Sequence, residues 1–344
     1  MKRLLAITCC LLAIAAAALA AGSKGGSGGP TLTQLTDAAG RTVSLAQPFT
    51  RIISLYGAHT ENLLALGAGR EVIGVTRHDT EFPAAQGKAV FSYHDGLERF
   101  LAANPDLVLI RPMIDRGYAP LVAGLEKHGI TVVSLQPGTV EEMMTYWRIL
   151  GALSGRRLQA ERMVAAFQQA VADFRTLAAP IRHRKRVYFE AIHKRMKTFT
   201  PGSMPIFALE TAGGINIAAD ADQVRTTNIA YYGKERLLSR AAEIDIYLAQ
   251  RGPMNQATPA LIRGEPGFAI IKAIRENQVF IIDEAIVARP TWRLLYGIQA
   301  IGTLLYPDQF GANGARILQA AEAAREAPGA APYSNSSKAK VSYE

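Results

Sequence analysis

The sequence predicts an α/β fold of two lobes, each with a mostly parallel sheet flanked by helices, bridged by one long α-helix. Three observations predict it. Short β-rich apolar runs alternate with helical stretches over residues 49–139, the mark of a parallel sheet covered on both faces. Residues 140–177 contain no proline and repeat apolar residues at helical spacing. The strand–helix rhythm then resumes over residues 178–325.

At the amino end, Lys2 and Arg3 precede an apolar run from Leu4 to Leu19, and Ala18-Leu19-Ala20 is a small-x-small cleavage signal. Residues 1–20 therefore read as a signal peptide, the run being short for a membrane span. The two cysteines, Cys9 and Cys10, fall inside that run. A lipidated cysteine would follow the apolar segment, so the sequence argues against a lipid anchor and for a mature chain without disulfides or thiolate metal sites. Residues 21–48 comprise a Gly/Ser tether and an edge hairpin, Leu32–Thr36 with Thr42–Leu45 around Asp37-Ala-Ala-Gly40. Residues 326–344 have no hydrophobic period and read as a disordered tail.

Strands are expected at Arg51–Leu55, Val72–Val75, Leu107–Ile110 and Thr131–Leu135 in the first lobe. Helices are expected at His59–Leu66, Leu97–Ala103 and Tyr118–His128. From Met144 through Trp147, Leu150 and Leu153 to Met163, Phe167, Ala170 and Phe174 the apolar spacing predicts one helix, weakened at Gly151 and Gly155 and ended by Pro180. The second lobe should place strands at Val187–Ile192, Ile244–Ala249 and Val279–Ile282, with helices at Ile206–Thr211, Ala269–Glu276 and Trp292–Leu305.

The chain has 344 residues, 49% hydrophobic and 19% charged, ample for two packed cores. Its formal charge of +9 becomes +7 without Lys2 and Arg3. Export argues against nucleic acid as the reason for that surplus, leaving an anionic membrane, an anionic ligand or ordinary solubility. No Gly-x-Ser-x-Gly elbow between a strand and a helix (Gly25-Gly-Ser-Gly-Gly29 lies in the tether), phosphate loop or His-Glu-x-x-His motif is present. Glu190 and His193 could be drawn as an acid–base pair, but strand alternation would point them to opposite faces. An enzyme is therefore not expected.

Arg51-Ile-Ile-Ser-Leu-Tyr-Gly-Ala-His-Thr-Glu-Asn-Leu-Leu-Ala-Leu-Gly67, followed by Val72-Ile-Gly-Val-Thr76, resembles the opening of the helical-backbone class of periplasmic binding proteins, which serves cobalamin, ferric siderophores and haem. Gly96-Leu-Glu-Arg-Phe100, Asn104-Pro-Asp-Leu-Val108, Thr200-Pro-Gly-Ser203, Leu209-Glu-Thr-Ala-Gly-Gly-Ile-Asn216, Val279-Phe-Ile-Ile-Asp283, Arg289-Pro290 and Leu304-Leu-Tyr-Pro307 follow in matching order. The family usually has Pro-Ser after the first strand, where this chain has Gly57-Ala58. The resemblance implies a monomeric substrate-binding component of an ABC importer, working in the periplasm without a cofactor and docking on a permease dimer in the cytoplasmic membrane. It also implies that Glu98 and Glu235, each opening a helix in one lobe, are the permease-docking carboxylates; without it, both read as first-turn acids favoured by the helix dipole.

Ligands of parallel α/β sheets bind beyond the carboxyl ends of the strands. The candidates there are Tyr56, His59, His78, Tyr93, His94, Arg111 and Met113 in the first lobe. In the second they are His193, Lys194, Arg195, Met196, Lys197, Arg225, Arg251, Arg289 and Trp292. Guanidinium groups pair with carboxylate or phosphate, and aromatic rings offer flat surfaces to a macrocycle or catechol. The run His193–Lys197 also reads as a solvated face, Met113 and Met196 as packing, and Tyr231-Tyr232 as a packed pair. A bare Zn or Mn site would need histidines with Asp79 or Asp283, but no histidine pair has i, i+4 spacing and the cationic surplus repels an ion. His59 or His94 could instead complete the coordination of a chelated metal. These features rank a ferric siderophore or related iron chelate first and cobalamin or haem next. A free ion or oxyanion, and an envelope enzyme acting on a chelate, follow.

Overall fold

The computed structural model describes residues 33–225 and 227–326. The signal peptide and tether through residue 32, and the tail from residue 327, lie outside the described residues. No described helix is long and apolar enough to cross a membrane.

The first-lobe sheet has five strands, all parallel, in the spatial order Ala89–Val90, Val72–Val75, Ile52–Ser54, Leu107–Ile110, Thr131–Ser134. Chain order reverses direction between Ile52–Ser54 and Leu107–Ile110, which opens a crevice at their carboxyl ends. Alternation along these strands feeds two cores. Ile52, Leu107 and Leu109 join one, while Ile53, Val108 and Ile110 join the other.

The second sheet is mixed. Its parallel centre is Ile215–Asn216, Arg186–Ile192, Ile246–Gly252 and Val279–Asp283, with its own reversal between the middle two. Lys197–Phe199, Ile229–Tyr231 and Asp222–Gln223 extend it antiparallel on one side, and Asn255–Gln256 pairs antiparallel with Ile246–Gly252. The polar, turn-rich sequence around these outer strands hid them from periodicity.

The bridge is not one helix. Val140–Leu153 and Arg157–Ala178 are separate helices packed against each other, broken at Ser154-Gly155-Arg156. Gly155 has φ +72°, a left-handed conformation that glycine adopts readily. Gly151 allows the return: a Cβ there would lie 2.9 Å from the Arg156 carbonyl oxygen. The spine is thus Arg157–Ala178, 22 residues and about 33 Å long. It packs on Leu294–Leu305 and on Pro307–Arg325, a helix that periodicity did not single out. Residues 269–276 form a 3₁₀ turn and a four-residue helix instead of one continuous helix.

The amino-terminal hairpin, Gln34–Thr36 with Thr42–Ser44, pairs only with itself and is not an edge of either sheet. Asp37 and Arg41 fix it to the first lobe. Ser134 N donates to Asp37 Oδ2 at 2.8 Å, and Arg41 pairs with Asp115 at 2.6 Å.

The lobes are joined by buried polar bonds as well as the spine. Glu61, in helix Gly57–Ala65, accepts two 2.8 Å bonds from Arg293 of the second lobe. Asn62 Nδ2 donates to the Pro290 carbonyl at 2.9 Å. Glu61 and Arg293 are both buried, so neither can lose its partner without stranding a charge.

Candidate functional site

The carboxyl ends of the two sheets meet around Tyr56. That residue follows strand Ile52–Ser54 and precedes helix Gly57–Ala65, whose first turn has no side-chain cap. The positive helix end therefore opens on the same gap. Arg111, at the end of the neighbouring strand Leu107–Ile110, stacks its guanidinium 5.0 Å from the centre of the Tyr56 ring. From the second lobe, Arg289 and Glu284 act on the same phenol. Burial pushes the Tyr56 phenol up, although Arg111 and Arg289 pull it the other way. Both arginines are half-buried.

Gly57 explains the departure from the usual Pro-Ser. A Cβ there would lie 2.9 Å from Asp79 Oδ1 and 3.7 Å from Arg289 Nη1. Asp79 is itself buried and accepts from Thr60 Oγ1 at 2.9 Å, Thr76 Oγ1 at 2.8 Å and Thr76 N at 3.0 Å. It braces the turn beneath Tyr56 and is not an open metal ligand. Asp283 caps the next helix through a 2.8 Å bond from Ala285 N. Among the described residues, no three His, Cys, Asp or Glu side chains converge on a metal-sized position.

Several expected ligand residues face elsewhere. His59 is fully buried. Its Nε2 lies 2.9 Å from the Ile110 carbonyl oxygen, so Nε2 carries the proton, and Nδ1 accepts from the Tyr146 hydroxyl at 2.7 Å. With both nitrogens occupied it cannot ligate a chelated metal. Trp292 is also buried: its ring contacts Trp147 and Phe167, and Nε1 donates to Glu322 at 2.7 Å. Met113 packs against the outer first-lobe core, and Met196 against a second-lobe core. Tyr231 and Tyr232 are not a packed pair. Tyr231 is exposed, while Tyr232 is buried under Arg236.

His193 is buried beside Glu190, with Nδ1 donating to Glu190 Oε2 at 2.8 Å. Strand alternation had set these two on opposite faces. The strand ends at Ile192, however, and His193 begins a 3₁₀ turn that swings its ring back. Glu190 also accepts from Tyr247 and from Asn255 Nδ2 at 3.2 Å. The bond to Glu190 raises the His193 pKa above the ordinary imidazole value.

The remaining candidates lie outside the Tyr56 group. His78, His94, Lys194, Arg195, Arg225 and Arg251 are exposed, and Lys197 is half-buried on strand Lys197–Phe199. Arg225 sits at φ +54° in its turn. His94 forms an aromatic cluster with Tyr93 and Tyr118, ring centres 4.5 and 5.1 Å away. Glu98 and Glu235 are exposed in the first turns of helices Leu97–Ala103 and Lys234–Ser239. Glu284 and Glu61 were missed. The strand-end rule that found Arg289 reaches Glu284 too, one residue past Asp283; nothing local marks Glu61, whose partner is 232 residues away.

Two α/β lobes on a helical spine, with arginines that form no ion pair among the described residues where their strand ends meet, define a solute-binding protein. The periplasmic binding protein family model matches residues 52–286, and the chain belongs to that family. An uncharacterized ABC transporter substrate-binding lipoprotein, YvrC of Bacillus subtilis, is 25% identical over 281 residues, covering 80% of this chain and 86% of that one. A vitamin B12-binding protein of Vibrio cholerae is 26% identical over 269 residues, covering 76% and 91%. The crystal structure of a possible iron-binding periplasmic protein from Staphylococcus epidermidis shares the fold, with TM-score 0.66 and 23% identity over 76% of this chain and 100% of that one. The protein is a substrate-binding component of the ABC-transport class and not an enzyme.

Proposed function

We propose that the protein captures an anionic metal chelate, a ferric siderophore or related iron complex, between its lobes and presents it to an ABC permease dimer. One observation carries this reading: Arg111 and Arg289, on opposite lobes, flank one tyrosine with no ion pair to either among the described residues. Half-buried guanidinium groups that bond to no carboxylate among the described residues suit an incoming anion that bonds in pairs. Glu98 and Glu235, exposed on separate lobes, suit docking on a basic permease surface, where they would set orientation and on-rate. The protein acts as a monomer in the periplasm, freed by cleavage near Ala20 and without a lipid anchor. Since YvrC is described as a lipoprotein, the mass of the mature chain is the direct check on that point.

Cobalamin is the second reading, favoured by the 26% identity to a vitamin B12-binding protein. Native mass spectrometry with visible absorbance, on protein purified from its own cell envelope, separates the two. A ferric charge-transfer band with the matching bound mass supports the iron chelate. A corrinoid spectrum replaces it with cobalamin, and a saturable ligand without metal overturns both.

A further inference from the structure

A carboxylate sits among these arginines and belongs to none of them. Glu284 is the first residue beyond strand Val279–Asp283, and its side chain lies across Gly252 at the end of the adjoining strand. Only glycine permits that path, because a Cβ at residue 252 would lie 2.7 Å from Glu284 Cβ. Glu284 Oε2 is buried and has no hydrogen-bond partner. Burial holds the carboxyl above its usual range, opposed by the pull of Arg289 and Arg111, yet neither arginine forms an ion pair with it.

An internal counter-ion would look different. Glu61 shows the alternative in the same molecule, held by two 2.8 Å bonds from Arg293. Glu284 instead keeps a desolvated, unbonded acceptor whose charge is felt by both Arg111 and Arg289. A buried acceptor left unmade is costly, and a site built this way rejects ligands that lack the matching donor. We infer that the ligand carries an N–H donor beside its anionic groups and that Glu284 accepts from it. That chemistry belongs to amine- or amide-bearing chelates and excludes all-oxygen polycarboxylates. The inference rests on the chelate reading above and narrows it.

Three probes test it by calorimetric titration at pH 7: cyanocobalamin with its amide side chains, the anionic ferric complex of a tris-catecholamide with its amide N–H groups, and ferric citrate. The wild type should bind an N–H-bearing probe more tightly than ferric citrate. Glu284→Met, which keeps the length and removes the acceptor, should weaken that probe about tenfold or more. Glu284→Gln, retaining one acceptor oxygen, should fall between, and neither variant should weaken ferric citrate. Circular dichroism confirms that the variants fold, and Gly252→Ala, which displaces the carboxylate without altering it, should reproduce the selective loss. If both Glu284 variants tighten every probe, Glu284 is a competing counter-ion and the inference is overturned. Binding of ferric citrate alone removes the N–H donor but leaves the chelate reading standing. No saturable binding of any probe to the wild type sinks both.

Discussion

His59 and His193 are both buried, one in each lobe, and they carry opposite charge preferences. His59 meets a backbone carbonyl and a phenol, so nothing repays an added proton, and burial lowers its pKa to about 4. His193 meets the Glu190 carboxylate, with Glu265 Oε2 3.7 Å from its other nitrogen, and its pKa rises. Burial by itself does not fix a histidine's charge; the chemistry of its first neighbour does. In this molecule one histidine serves as a neutral strut under the Tyr56 turn, and the other as a partner of Glu190 that favours the proton.

The largest test of that contrast is His59→Ala. It opens a cavity and strands the Tyr146 hydroxyl and the Ile110 carbonyl, and should cost about 3 kcal/mol or more in urea unfolding at pH 7. A loss under about 1 kcal/mol would mean that the ring is not sealed in the core.

Next is the pH dependence of the wild type. A depressed histidine contributes stability that is present above its unfolded pKa of 6.5 and lost as pH falls toward the folded value of about 4. The shift corresponds to about 3 kcal/mol. His193 has the opposite sign: its contribution is present below 6.5 and lost as pH rises through its raised folded value. His59→Phe should flatten the acid limb of the stability curve and His193→Phe the alkaline limb. Matching slopes in the two variants would erase the distinction.

His193→Phe should itself destabilise by about 2 kcal/mol at pH 6, where a charge-assisted bond to Glu190 is lost, and by less at pH 9. Equal losses at both pH values would mean that the imidazole is neutral throughout. The smallest effect belongs to Lys234→Met. Lys234 holds Glu265 at 2.6 Å and opposes the charge on His193, so its removal should move the His193 titration upward in an NMR experiment. A downward move would show that Glu265 needs Lys234 to stay near the ring.

Much of this architecture is legible in the chain because its signals are local. Apolar runs such as Leu107–Ile110 and the spacing from Met163 to Phe174 specify a strand and a helix without reference to anything distant. The break at Ser154–Arg156 was foreshadowed by two glycines, but its cause is tertiary: Gly151 admits the backbone of the returning chain. The strand-end rule pointed to Tyr56, Arg111 and Arg289, which the fold brings together. It also returned His59 and Trp292, whose rings turn into the core toward Tyr146 and Glu322, and His193, which turns back to Glu190.

The sequence alone determined the α/β rhythm, the lobes before and after a helical bridge, and the positions where strands deliver loops to a ligand. Those follow from periodicities of two and 3.6 residues, which a chain carries at every point. The tertiary structure alone decided which charges are paired. Arg293 finds Glu61 across 232 positions while Arg111 and Arg289 form no ion pair among the described residues, because pairing depends on which distant segments the packed lobes bring within bonding distance.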